Sequence, residues 1–227
     1  MDLKQSLNFL ARLKRNNNKA WFDKHKEEYL EIKSCFENLV GEISEGIGKF
    51  DEFTGCQDPK KCVFRIYKDV RFSKDKTPYK THLGAYFAKG GKKSPFAGYY
   101  LHIEPKNSFV AGGLWMPEPD VLERVRQEID YNAEEFMGIL KDKTFRRLFK
   151  ELEGEKLSRN PKNYSADHPH IEILKHKSFV VSSIIEDKIV LSKNFSSHCL
   201  KIFRTMKPLN DFLNRSIEVE CSDAKDG

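Results

Sequence analysis

Apolar residues recur every three or four positions at the start of the chain, where Leu3, Leu7, Leu10 and Leu13 mark one face of a first helix. The polar run Arg15-Asn16-Asn17-Asn18 stops it, and Asn18 is the expected N-cap of a second, longer helix. Phe22, His25, Tyr29, Ile32, Phe36, Leu39, Ile43 and Ile47 keep helical spacing along that helix, which Gly46 and Gly48 close. From Cys62 the period falls to two. Residues 63–67 read as a strand with Phe64 and Ile66 on one face and Arg65 and Tyr67 on the other. Residues 83–88 read as a second strand, and 98–104 and 108–114 as a hairpin around Pro105-Lys106-Asn107. The links are too short for helical crossovers, so the sheet is expected to be antiparallel.

Pro117 and Pro119 then open a helical stretch with three apolar groups. These are Val121, Leu122, Val125 and Ile129, then Phe136, Ile139 and Leu140, then Phe145, Leu148 and Phe149. Residues 154–169 are polar and contain proline, as a surface excursion would. Residues 178–181 suit a short strand. Leu200, Phe203, Met206, Leu209, Phe212 and Leu213 predict a last helix that Pro208 interrupts or restarts. The pattern gives an α+β fold, with an antiparallel sheet over about residues 62–114 and helices before and after it. It is read as a single domain over 1–217 with a disordered tail over 218–227.

Composition narrows the class. The chain has 227 residues, 39% hydrophobic and 33% charged, with a mean hydropathy of -0.63, as a soluble globular protein would. No apolar run approaches the roughly 20 residues of a membrane helix. The start Met1-Asp2-Leu3-Lys4-Gln5 lacks a signal-peptide core, so the expected location is the cytoplasm, with no membrane partner. Cys35, Cys56, Cys62, Cys199 and Cys221 are scattered, and the six-residue step from Cys56 to Cys62 is not a metal knuckle. No metal and no cofactor is expected. Dinucleotide, P-loop, zincin, kinase and Gly-x-Ser-x-Gly patterns are missing.

Charge changes the picture most. Residues 57–93 carry eleven lysines and arginines against three aspartates, an excess of eight where the whole chain carries +6. Within that stretch Arg65, Tyr67, Asp69 and Arg71 stand at alternate positions, one face of an extended strand. A carboxylate between two guanidinium groups holds both forks and leaves their outer donors for a ligand. Asp75-Lys76-Thr77-Pro78-Tyr79 follows as a turn, returning Lys76 and Tyr79 toward the same face.

The spacing Arg65-x-x-Lys68-Asp69-x-Arg71-Phe72-x-x-Asp75-Lys76-x-x-Tyr79 resembles the signature of domain of unknown function 2461, a mostly bacterial family. The resemblance extends to Asn16-Asn17-x-Lys19-x-Trp21-Phe22, Tyr79-Lys80-Thr81-His82, Gly112-Gly113-Leu114-x-Met116-Pro117, Asp167-His168-Pro169 and Leu174-Lys175-x-Lys177-Ser178-Phe179. Lys68 stands where the signature has arginine, which keeps the charge and loses the bidentate fork. The resemblance implies no activity.

Two readings of the charged cluster stay open. In one, Arg65, Asp69, Arg71, Asp75 and Lys76 form an ion-pair network that pins an irregular loop. In the other they bind a small phosphate- or carboxylate-bearing ligand, with His82 at the rim and Tyr79 as proton donor. If the protein is an enzyme, His168 is the candidate base, oriented by Asp167. The alternative partner is nucleic acid, met by Lys89, Lys92 and Lys93 beside Tyr67, Tyr86, Tyr99 and Tyr100. Oligomeric state is not legible.

Overall fold

The computed structural model describes residues 3–54, 58–71 and 73–223. Its helices before the sheet are α1 (Leu3–Arg15), α2 (Lys19–Lys24), α3 (Lys26–Gly48) and α4 (Pro59–Cys62). Strands β1 (Leu83–Phe87), β2 (Gly98–Ile103) and β3 (Ser108–Leu114) follow. Next come α5 (Pro119–Tyr131), α6 (Ala133–Lys141), α7 (Lys143–Leu148) and α8 (Ile171–Leu174). The chain closes with β4 (Phe179–Ile185), α9 (Asp187–Val190) and α10 (Phe195–Asp223). The four strands form one antiparallel sheet in the order β1-β2-β3-β4, so the fold is α+β with helices on both sides in sequence.

Asn18 does cap the helix after it, its side chain accepting from the Trp21 N–H at 3.0 Å. The long helix expected from there is two helices broken at His25, whose Nδ1 lies 2.8 Å from the Trp21 carbonyl while its ring stacks on Trp21 at 4.0 Å. Residues 63–67 are not a strand. They form isolated bridges instead, Val63 to Ala85 of β1 and Tyr67 to Tyr79, which lies before β1. The sheet also reaches beyond residue 114, because β4 pairs beside β3. Pro208 sits inside α10 without ending it, since Met206, Leu209, Phe212 and Leu213 are all buried and hold the helix in register. The α10 backbone continues to Asp223, and the rest of the expected tail lies outside the described residues.

The chain divides into two compact units. The first comprises residues 1–92, 100–110 and 184–201, and the second 93–99, 111–183 and 202–227. In the first, α1 and α3 bury Phe9, Leu10, Leu13, Ile32, Phe36, Val40 and Ile43. In the second, Phe136 meets Phe212 at 5.0 Å and Phe179 edge-on at 6.3 Å, while Tyr99 packs on Phe203 at 5.1 Å. Asn214 brackets Ala97 there, its Oδ1 accepting from the backbone N–H at 2.7 Å and its Nδ2 donating to the carbonyl at 3.2 Å. Gly113 has φ +116, and a Cβ placed on it would stand 1.9 Å from the Phe179 carbonyl oxygen, so the approach of β4 to β3 requires glycine.

Candidate functional site

The site in the first unit is built on residues 63–85, two arms that run antiparallel. Phe64 donates to the Gly84 carbonyl at 2.9 Å, Lys80 to Ile66 at 2.7 Å and Lys68 to Pro78 at 2.9 Å. Between the two bridges, one arm advances from 63 to 67 while the other covers 79 to 85. The second arm is longer, and its surplus bows out the stretch holding Lys80, Thr81 and His82.

The tip, 69–77, consumes most of its own charge. Asp69 takes the Arg71 fork at 2.9 and 2.6 Å, and this pair alone lowers the Asp69 carboxyl before the field of Arg65 adds to it. Lys68 Nζ donates to Asp75 Oδ2 and Thr77 Oγ1, each at 2.7 Å. Asp75 also accepts from the Thr77 backbone N–H at 2.9 Å, and these contacts hold its carboxyl far below the usual range. Lys76 Nζ caps the Val70 carbonyl at 3.0 Å. Asp69, Arg71, Asp75 and Lys76 are therefore engaged in shaping an exposed loop, and the face expected to present Arg65, Asp69 and Arg71 together is not an extended strand.

Tyr79 is buried, 3% exposed, and stacks on Phe22 at 4.0 Å. Asn17 holds its backbone on both sides, Oδ1 accepting from the Tyr79 N–H at 3.1 Å and Nδ2 donating to its carbonyl at 2.9 Å. The Asn17-to-Phe22 segment is thus the seat of the far arm. Burial, with the charge of Asp23, pushes the Tyr79 phenol up.

A row of polar side chains lies next to the bowed stretch. On β2, Tyr99, Leu101 and Ile103 point to a fully buried apolar side, while Tyr100 and His102, with Glu104 just beyond, take the alternate positions. Tyr100 Oη lies 2.9 Å from His102 Nδ1, and His102 Nε2 lies 3.4 Å from Glu104 Oε2. An ionised Glu104 only accepts, so Nε2 carries the proton and the Tyr100 hydroxyl donates to Nδ1. Burial pushes the Glu104 carboxyl up, but donors from Asn107, Thr81 and His102 and the charge of Lys14 leave it net lowered. Tyr100 is raised to about 12 by burial and by Glu104, so it remains a donor. His82 packs on His102 with ring centroids 4.2 Å apart. Burial, then the neighbouring His102 and Lys80, bring His82 down to about 4, so both imidazoles are neutral at pH 7. Gly84 makes room for this row, since a Cβ there would stand 2.8 Å from Tyr100 Oη.

Three cations border the row. Lys80 Nζ lies 5.2 Å from the centre of the Phe64 ring, and Phe64 meets Tyr100 edge-on at 6.2 Å. Lys92 Nζ donates to the Val63 carbonyl at 2.8 Å. Burial, then the charges of Arg65 and Lys92, lower the Lys80 ammonium. Among the described residues neither Arg65, Lys80 nor Lys92 has an ion-paired or hydrogen-bonded carboxylate. The sequence expectation placed Lys92 on a flexible basic loop, named Tyr100 only for the nucleic-acid alternative, and did not name His102, Glu104 or Lys80 as site residues. The signal was there in the alternation Tyr100-x-His102-x-Glu104, titratable groups at every second position of a strand whose other face is apolar.

His168 lies in the second unit, and its partner is Asp130 rather than Asp167. Nε2 stands 2.7 Å from Asp130 Oδ1, while Nδ1 accepts from the His170 backbone N–H at 3.1 Å. Both ring nitrogens are engaged, the geometry of an anchor between the 165–170 loop and α5. Among the described residues no group of three His, Cys, Asp or Glu side chains is placed to hold a metal ion. No helix is long and apolar enough to cross a membrane among them.

A four-stranded antiparallel sheet with helices before and after defines an α+β protein, and the row of Tyr100 and His102, with Glu104 just beyond, lies on β2, an inner strand of that sheet. The chain belongs to the family described as conserved hypothetical protein (DUF2461), whose model matches residues 5–212. No curated protein and no solved structure matches it.

Proposed function

We propose that the protein binds a small anionic ligand, phosphate- or carboxylate-bearing, at Arg65, Lys80 and Lys92, with His82 and Tyr100 beside it. The observation that carries this reading is the gathering of cations on one short stretch, with Lys80 Nζ over the Phe64 ring, Lys92 Nζ on the Val63 carbonyl and Arg65 close enough to disfavour the Lys80 charge. Lys80 is half-buried and its charge is disfavoured by both neighbours, and no carboxylate among the described residues is ion-paired or hydrogen-bonded to any of the three. A bound anion removes that repulsion and gains charge-assisted hydrogen bonds from a guanidinium and two ammonium groups. Neutral His82 and the Tyr100 hydroxyl supply hydrogen bonds without adding charge. Asp69, Arg71, Asp75 and Lys76 act one step away by fixing the hairpin that presents Arg65, and Tyr79 by seating it on Phe22.

The test is calorimetric titration with inorganic phosphate, pyrophosphate and succinate. Arg65→Ala with Lys80→Ala is expected to weaken the tightest of these at least tenfold, while Arg71→Ala leaves affinity within about twofold and lowers the melting temperature. Equal affinity in wild type and the Arg65/Lys80 variant rejects the site. A single-stranded oligonucleotide is the counter-probe. Tighter, steeply salt-dependent binding of it, lost in Lys92→Ala with Lys93→Ala, would replace the small-ligand reading with a nucleic-acid one.

A further inference from the structure

The second unit holds a cleft of about 280 Å³, lined only by residues of that unit. Its floor is Phe145 and Phe149, both buried and packed edge-on at 4.8 Å. Met137 and Leu140 of α6, with Leu152 and Ile173, form half-exposed apolar walls. A guest in the hollow would bury what these walls still expose, and a methionine wall adapts to its shape. His176 belongs to the same lining. It is 5% exposed, and its Nδ1 is sealed from solvent with no hydrogen-bond partner. The unmatched nitrogen marks a polar spot under an otherwise apolar floor.

Charge at the mouth is one-sided. Lys141, Lys150 and Lys156 line the cleft against Glu151 alone. Lys156 is occupied, 3.4 Å from Glu172. Lys141 and Lys150 are exposed and have no anionic partner among the described residues. An apolar pocket with a few converging polar groups is how proteins hold small molecules, and this one falls just below the roughly 300–1,000 Å³ range of such sites, which suits a small guest. We infer that the cleft between α6, α7 and α8 binds a small amphipathic carboxylic acid, its apolar body on Phe145, Phe149, Leu140 and Met137 and its carboxylate at Lys141 and Lys150. The carboxylate explains the surplus of ammonium groups, and the apolar body explains the uncovered walls. Neither inorganic anions nor plain hydrocarbons satisfy both.

Phenylacetate is the probe, compared with phenylacetamide, which has the same shape without charge, and with acetate, which has the charge without the ring. The readout is backbone amide chemical shift on titration into the full chain. Phenylacetate is expected to give saturable shifts confined to residues 137–176 and to bind at least fivefold more tightly than phenylacetamide, with acetate giving no saturable shift there. Lys141→Ala with Lys150→Ala removes only exposed charge, so the fold is retained, and it should bring phenylacetate down to the level of the amide. Leu140→Trp, which fills the hollow from its half-exposed wall, should abolish both. Equal affinity for acid and amide in wild type overturns the assignment, as does acetate matching phenylacetate. Shifts centred outside 137–176, or phenylacetate binding that survives Leu140→Trp, overturn it as well.

Discussion

Asn17 shows how much one side chain can do for a loop far away in sequence. Its amide replaces a strand neighbour for Tyr79, answering both the N–H and the carbonyl. Asn17→Ala leaves two backbone groups half-buried without partners, and is expected to cost about 1–3 kcal/mol. Urea denaturation measures it, and an unchanged midpoint would mean water takes over both bonds. His82 makes the second prediction at this scale. Its ring titrates at about 4 in the folded chain against 6.5 as the ordinary value. As pH falls, the unfolded chain takes up the proton first, so the stability tied to His82 is intact above pH 6.5 and drains away between 6.5 and about 4. His102 is lowered too and acts in the same direction. Melting temperature should therefore drop through that window, and His82→Gln should make the drop shallower without removing it. A slope unchanged in the variant would place the responsible proton elsewhere.

Among the elements, the helices were the most legible in the sequence, because Leu3, Leu7, Leu10 and Leu13, or Val121, Val125 and Ile129, report burial directly through their spacing. β1, β2 and β3 were legible through alternation and the turn at Pro105-Lys106-Asn107. The break at His25 was not, since Lys24 through Lys26 carry no proline or glycine, and a cap made by a neighbouring carbonyl leaves no mark in composition. Residues 63–67 misled for a related reason. Their alternation is real, and Ile66 is buried while Arg65 and Tyr67 are exposed, but the facing arm is longer, so continuous pairing is impossible. The charge cluster announced itself in the sequence. Which of its members spend their charge on each other depends on the tip of the hairpin, and no spacing rule predicts that. Lys68→Ala removes the clasp on Asp75 and Thr77. Amide exchange over 69–77 should speed up at least tenfold while the melting temperature moves by no more than about 3 °C, the shift of roughly one lost surface contact in a chain of this size. Exchange unchanged at the tip would show that Asp75 and Thr77 hold the turn unaided. Gly113→Ala tests β4 instead. A Cβ so close to the Phe179 carbonyl, on a backbone of φ +116, is expected to cost roughly 3 kcal/mol or more and to unpair β4 from β3. A near-normal melting temperature would mean the strands can separate freely there.

At the scale of the whole molecule, neither compact unit is one stretch of chain. The first takes residues from three segments, and so does the second. Expressed alone, residues 1–92 contain α1 to α4 and β1 but lack 100–110, which supply His102 and Glu104, and 184–201, which supply the Ser196 hydroxyl bonded to Glu42. That fragment is expected to show helix by circular dichroism without a cooperative thermal transition. A sharp transition would show that the remaining segments are dispensable decoration. The same interleaving governs how the protein is made. A ribosome must pass residue 201 before the first unit has all its parts, by which point most of the second has already emerged. Until then the first unit lacks residues 184–201, so the nascent chain carries unfinished apolar surface through a long stretch of synthesis, a client for whatever holds such chains in solution.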